Sequence, residues 1–162
     1  QESLVVVHPG DLCQKEVLNI LKHLEQQGLK VVIISNQELS YIGKDIEVLV
    51  SPCSGKLLPL FSSSLALVDG SQKRIPLFSL QALASGRPIL ALNGEYNDQV
   101  LSSKTGFLYR NIDDLTQGLL EVSNISFSPE SLRSSAARYS QIRFKSGLMR
   151  KLKDIGHPVQ FS

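Results

Sequence analysis

Short apolar runs alternate along this chain with stretches whose apolar residues recur at helical spacing. Leu4-Val-Val-Val7 is β-branched, stops at Pro9-Gly10 and predicts a strand. Val17, Leu18, Leu21 and Leu24 then predict a helix over residues 16–27, closed by Gly28. Five further strands are expected at 30–35, 46–50, 65–68, 88–92 and 106–109. Further helices are expected at 57–63, with Leu57, Leu58, Leu60 and Phe61 inward, and at 77–85, ended by Gly86. Two more follow: 113–122, with Leu115, Leu119 and Leu120 inward, and a long terminal helix over 129–155. The strands are continuously apolar rather than alternating, and they are spaced as βαβ units. Both features predict a parallel sheet buried on two faces by helices. The expectation is one doubly wound, Rossmann-like α/β domain of six strands over residues 1–162, with no repeat, linker or low-complexity tract.

Composition narrows the class. The chain has 162 residues, 42% hydrophobic and 20% charged, with a net charge of +2, which excludes a disordered segment and allows a core without staples. Its apolar runs stop after four or five residues, too short to span a bilayer. Cys13 and Cys53 are too few for a disulfide scaffold and read as ordinary thiols in a reducing, cytoplasmic setting. The single methionine is Met149 and no signal peptide is visible, so the chain reads as a processed product or as a domain cut from something longer, the second favoured by the motifs below.

Charge is uneven. Arg133, Arg138, Arg143, Lys145, Arg150, Lys151 and Lys153 form a run of seven cations with no acid among them, leaving a net −5 on the rest. Such a tail is either a solvated helix face or a surface for an anionic partner. Leu132, Ala136, Tyr139, Leu148, Leu152 and Ile155 add an apolar stripe beside it, mostly core, which would also suit peripheral contact with anionic lipid.

Ligands of an open parallel sheet bind beyond the carboxyl ends of its strands. That selects the loops around His8 to Asp11, Asn36 to Glu38, Asp69 to Arg74 and Asn93 to Glu95. In the third, Ser71, Lys73 and Arg74 precede a helix opened by Pro76, where free amides and two cations would attract a phosphate or diphosphate. Several chemistries are absent. There is no Gly-x-Gly-x-x-Gly fingerprint and no P-loop. No paired acids end the first strand, and no Gly-x-Ser-x-Gly elbow occurs. No Cys and His spacing suits a metal. His8 could meet a substrate but reads more simply as structural or solvated. His23 falls on a helix face and His157 in a tail, and the sequon Asn124-Ile125-Ser126 matters only in an exported chain.

The segment from Ile46 to Ile155 resembles the carboxy-terminal, nucleotide-sugar-binding half of the GT-B glycosyltransferases, specifically the group-1, family-4 retaining enzymes. Gly55-Lys-Leu-Leu-Pro-Leu-Phe-Ser-Ser-Ser-Leu-Ala-Leu-Val68 is similar to the helix and strand before that family's donor loop. Ser79-Leu-Gln-Ala-Leu-Ala-Ser-Gly-Arg-Pro-Ile-Leu-Ala91 is similar to its LEAMAxGxPVIA stretch. Asn93-Gly94, Asp98, Lys104-Thr-Gly-Phe-Leu-Tyr109 and Asp113-Asp114-Leu115 follow in the family's order.

The resemblance implies transfer of a hexosyl group from a nucleoside-diphosphate sugar, a substrate rather than a cofactor, with no metal and no nucleic acid. It implies an amino-terminal, acceptor-binding half outside this chain, without which the domain would bind a donor but transfer little. It places Gly10, Lys15, Ser71, Lys73 and Arg74 at the diphosphate, Gln81 at the ribose, and Asn93, Gly94 and Glu95 at the sugar or phosphate edge. No catalytic residue is assigned. The family's two glutamates, eight positions apart, are replaced here by Lys73 and Gln81. Gln81 could still bond a hydroxyl, without the stronger charge-assisted component. That double loss supports an alternative, a non-catalytic glycosyltransferase-like module that binds or stabilises a partner protein.

Overall fold

The computed structural model describes residues 3–72, 77–94, 104–139 and 141–156, with residues 141–147 as backbone only. Six strands run β1 (Leu4–His8), β2 (Lys30–Ser35), β3 (Glu47–Val50), β4 (Ala66–Asp69), β5 (Ile89–Leu92) and β6 (Gly106–Tyr109). Six helices are described: α1 (Gln14–Gln26), α2 (Ser54–Ser63), α3 (Leu77–Ala84), α4 (Ile112–Asn124), α5 (Pro129–Ala137) and α6 (Gln141–Asp154).

All strands are parallel in one sheet ordered β3-β2-β1-β4-β5-β6, the doubly wound Rossmann-like order whose direction of growth reverses between β1 and β4. Strand alternation sorts the core into two layers. Val5, Val7, Ala66, Val68, Leu90 and Tyr109 face α1 and α4, where Val17, Leu21, Leu24, Leu115 and Leu119 meet them. Val6, Ile34, Leu67, Ile89 and Ala91 face the other side and meet Leu57 and Phe61 of α2, Ala82 and Leu83 of α3, and Leu132 of α5. Helices on both faces explain why these strands read as unbroken apolar runs.

Helix starts follow local chemistry. Glu16 accepts the Cys13 amide at 2.7 Å, Asn111 accepts the Asp114 amide at 2.9 Å, and Ser128 caps α5 ahead of Pro129.

Four expectations need correction. α2 starts at Ser54 rather than 57, because the Cys53 carbonyl already accepts from the amides of Lys56 and Leu57. The 129–155 helix is two helices: at Arg138–Tyr139 the ladder tightens to a three-residue bond from Tyr139 N–H to the Ala136 carbonyl, as helix ends do. Leu18, Leu58 and Leu120 are exposed, since each sits one position away from a residue that already faces the core. Of the terminal stripe, Leu132 is fully buried, whereas Tyr139, Leu148 and Ile155 are exposed.

Candidate functional site

β1 and β4 each run one residue further than their apolar stretches suggest, and those two extra residues, His8 and Asp69, are register partners. Alternation puts both side chains on the α2/α3 face, beneath the first turn of α3. Asp69 is fully buried. Its Oδ1 bonds His8 Nδ1 at 3.0 Å and accepts the Ser71 amide at 2.9 Å, and its Oδ2 accepts the Ser79 hydroxyl at 2.6 Å. The Tyr109 hydroxyl donates to the Asp69 main-chain carbonyl at 3.2 Å, and Phe78 packs edge-on against the His8 ring with centroids 4.6 Å apart. A donor on each carboxylate oxygen is what makes an ionised group tolerable at this depth.

The electrostatics follow from these contacts. Burial acts to raise the Asp69 pKa, but the hydrogen bond and charge of His8, with bonds from Ser79 and the Ser71 amide, outweigh it and hold the carboxyl below its ordinary value. Burial, then the negative charges of Asp69 and Glu16, push the Tyr109 phenol well above its usual range, so it stays a neutral donor. Because the Asp69 pKa is depressed in the folded state, its stabilisation is present above the unfolded carboxylate value of about 3.9 and is lost as pH falls through the lower folded value. The urea midpoint of the wild-type protein is therefore expected to drop more steeply below about pH 4 than that of Asp69→Asn. Parallel pH profiles for the two proteins would refute this.

Two loops meet above the pair. The Gly70 amide donates to the His8 carbonyl at 2.8 Å, and the Asp11 amide donates to the Gly70 carbonyl at 3.0 Å. The Gln72 amide donates to Asp11 Oδ2 at 2.6 Å, and Gln72 Nε2 donates to the Asn93 carbonyl at 2.9 Å. Asn93 is itself tied back by its amide to the Tyr109 carbonyl at 2.9 Å.

The strand ends thus bring Asn93 and Gly94 beside Gln72, with Gly10 against Ser71 and Gly70. Lys15 is exposed on the first turn of α1. Lys73, Arg74 and Glu95 lie outside the described residues. Gln81 stands apart. Ser79, Ala82 and Leu83 are the buried face of α3, so Gln81 turns away from the sheet and, half-buried, lines a groove against α5 with Arg133, Ala136 and Ala137. No described contact joins it to the strand-end cluster.

The selected loops hold Asp11, Asp69 and Gln72 without singling them out as site residues, and Ser79 and Tyr109 lie outside every candidate set. The available signal was an acid closing a strand that is otherwise wholly apolar. The Ser71 and Gln72 amides are donated to the carboxylates of Asp69 and Asp11. The Ser71 hydroxyl lies 3.3 Å from His8 Nδ1, the same nitrogen that bonds Asp69. A nucleophile relay needs its acid and its hydroxyl on opposite ring nitrogens, so this trio is not one. Among the described residues no group of three or more His, Cys, Asp or Glu could hold a metal ion, and no helix is long and apolar enough to cross a membrane.

No protein-family model matches the sequence, and no curated protein is significantly similar to it. Solved structures do match. AviGT4, a glycosyltransferase involved in avilamycin A biosynthesis, superposes with a TM-score of 0.63 at 12% identity, over 94% of this chain and 51% of its own. The glycosyltransferase SnogD from Streptomyces nogalater gives 0.54 at 14% identity, over 89% and 39%. An O-GlcNAc transferase mutant of Thermobaculum terrenum gives 0.56 at 15% identity, over 85% and 31%. The chain therefore has the fold of one GT-B-like half-domain, and it spans about half or less of the glycosyltransferases it matches.

Proposed function

We propose that the chain is the nucleotide-sugar-binding half of a divergent glycosyltransferase of the group-1, family-4 type, passing a hexosyl group from a nucleoside-diphosphate sugar to an acceptor held by another half. One observation carries this reading: Ser71, Asn93, Gly94 and Gln72 converge at the carboxyl ends of β4 and β5, beside the point where strand order reverses. That is where an open α/β sheet receives its ligands.

In this reading Lys73 and Arg74, next along the chain from Gln72, supply the positive charge for the diphosphate, with Lys15 across the β1 loop. Gly10 keeps the loop backbone low enough for the ligand to approach. Asn93, Gly94 and Glu95 meet the sugar or the phosphate edge. Gln81 falls outside this constellation because its helix face turns it toward α5.

Calorimetric titration with UDP-, GDP- and ADP-sugars is expected to give saturable heat with at least one nucleotide. Lys73→Ala and Arg74→Ala are each expected to weaken that binding by about tenfold, as loss of a charge-assisted bond does. Absence of heat with all three classes would overturn the reading.

The capped amides of Ser71 and Gln72 favour a second reading, in which the module keeps the glycosyltransferase architecture and binds a partner protein without chemistry. Sugar-nucleotide hydrolysis in the absence of acceptor separates the two, since turnover excludes a purely structural role.

A further inference from the structure

A second concavity lies on the α2/α3 side of the molecule, away from the strand-end cluster. It is a groove of about 460 Å³ between α3 and α5, floored by Leu77, Leu80, Ala84, Ala136 and Ala137. Leu77 is 65% exposed there. The three alanines leave the space that larger side chains would fill.

Two polar groups give the groove a chemical signature. Gln81 Oε1 is buried in it with no hydrogen-bond partner among the described residues, a deficit that native structures rarely leave unfilled. Arg133 stands at the end near Gly86, where its guanidinium reaches over the last turn of α3. Among the described residues it has no hydrogen bond or ion pair. The complement of this surface is an apolar body that carries one N–H or O–H donor and has a negative charge beside it. Tryptophan meets the first two requirements in one side chain, because its indole is apolar throughout except for a single donor.

We propose that the α3/α5 groove docks a segment of a partner protein through a tryptophan flanked by acidic residues. The indole N–H donates to Gln81 Oε1, the ring lies on Leu77, Leu80 and Ala136, and a neighbouring carboxylate pairs with Arg133. Charge favours such a partner, since Arg133 lines the groove itself and Arg138 follows directly on α5, whose one acid is Glu130. A second copy of this chain is not the occupant, because the chain contains no tryptophan.

That lack also supplies the assay. A capped Glu-Glu-Trp-Leu peptide is the only indole in solution, so its fluorescence reports binding directly. Titration is expected to blue-shift its emission, with a dissociation constant on the order of 0.1–1 mM. The same peptide built with 1-methyltryptophan, which lacks the N–H, is expected to bind about five- to tenfold more weakly. Gln81→Leu should erase the difference between the two peptides, and Arg133→Ala should weaken both about fivefold. Ala137→Phe, which fills the groove from its rim, should abolish binding while leaving the thermal unfolding midpoint near that of the wild type.

Equal affinity for the two peptides in the wild type, or no binding at millimolar concentration, overturns the proposal. So does binding that survives Ala137→Phe, and so does displacement of the peptide by a sugar nucleotide, which would assign the groove to the donor.

Discussion

Asp69→Ala is expected to cost about 3 kcal/mol of folding stability, a large share of the roughly 5–15 kcal/mol available to a domain of this kind. The residue is fully buried, and three donors from three different elements end on its carboxylate. Alanine would strand the Ser71 amide and the Ser79 hydroxyl without partners. It would also leave the His8 ring beside a void where its hydrogen-bond partner had been. Each buried donor left without a partner costs about 1–3 kcal/mol, and the void left by the side chain adds to that, which sets the total near 3 kcal/mol. Asp69→Asn keeps the shape and one acceptor oxygen but turns an N–H toward a donor, so a loss of about 1–3 kcal/mol is expected. His8→Ala should cost least of the three, because the ring is 14% exposed and water can take its place on Asp69. Urea denaturation at neutral pH measures all three variants. An Asp69→Ala protein within 0.5 kcal/mol of the wild type, the range of an ordinary surface change, would show that the pair is not structural.

The layers of the fold were legible because their cause is local. Unbroken runs such as Leu4-Val-Val-Val7 can only be buried on both faces, and the spacing of Val17, Leu21 and Leu24 admits one helix face. Helix breaks were less so. Nothing in the periodicity of residues 129–155 marks Arg138–Tyr139, where a single three-residue bond ends α5. The site was legible as a set of loops and not as a set of contacts. Ser71, Asn93 and Gly94 follow from the rule about strand ends, but the pairing of His8 with Asp69 depends on register between strands 61 residues apart. Register is a property of the packed sheet, so neither residue announces the other. Gln81 shows the converse: its motif position suggests a ligand contact, whereas the three neighbours that bury α3 decide where it points.

Gly70→Ala is the change expected to disturb the strand-end loops most, and its effect should depend on Gly10. A methyl group on Gly70 would lie 2.2 Å from the Pro9 carbonyl oxygen and 2.7 Å from two carbons of Leu12. The backbone cannot swing aside, because the Gly70 amide and carbonyl are both bonded to the β1 loop, at 2.8 and 3.0 Å. The two loops would have to part, losing those bonds as well as the packing, for about 2–4 kcal/mol. On the facing loop Gly10 sits at φ +55°, and a Cβ there would lie 2.5 Å from the Ser71 nitrogen, so Gly10→Ala forces the same separation and adds backbone strain. Once one methyl has opened the joint, the second meets a gap already made. The double variant should therefore lose about 1–2 kcal/mol less than the sum of the single losses, the behaviour of residues that share one contact. The same opening moves Ser71 and Gln72, whose amides are held by Asp69 and Asp11, so under the proposed donor-binding function sugar-nucleotide affinity should fall in either single variant and fall little further in the double. A double-mutant cycle in urea, repeated by calorimetry, tests both. Strict additivity would mean that the loops yield independently, and that the strand ends are two separate surfaces rather than one built joint.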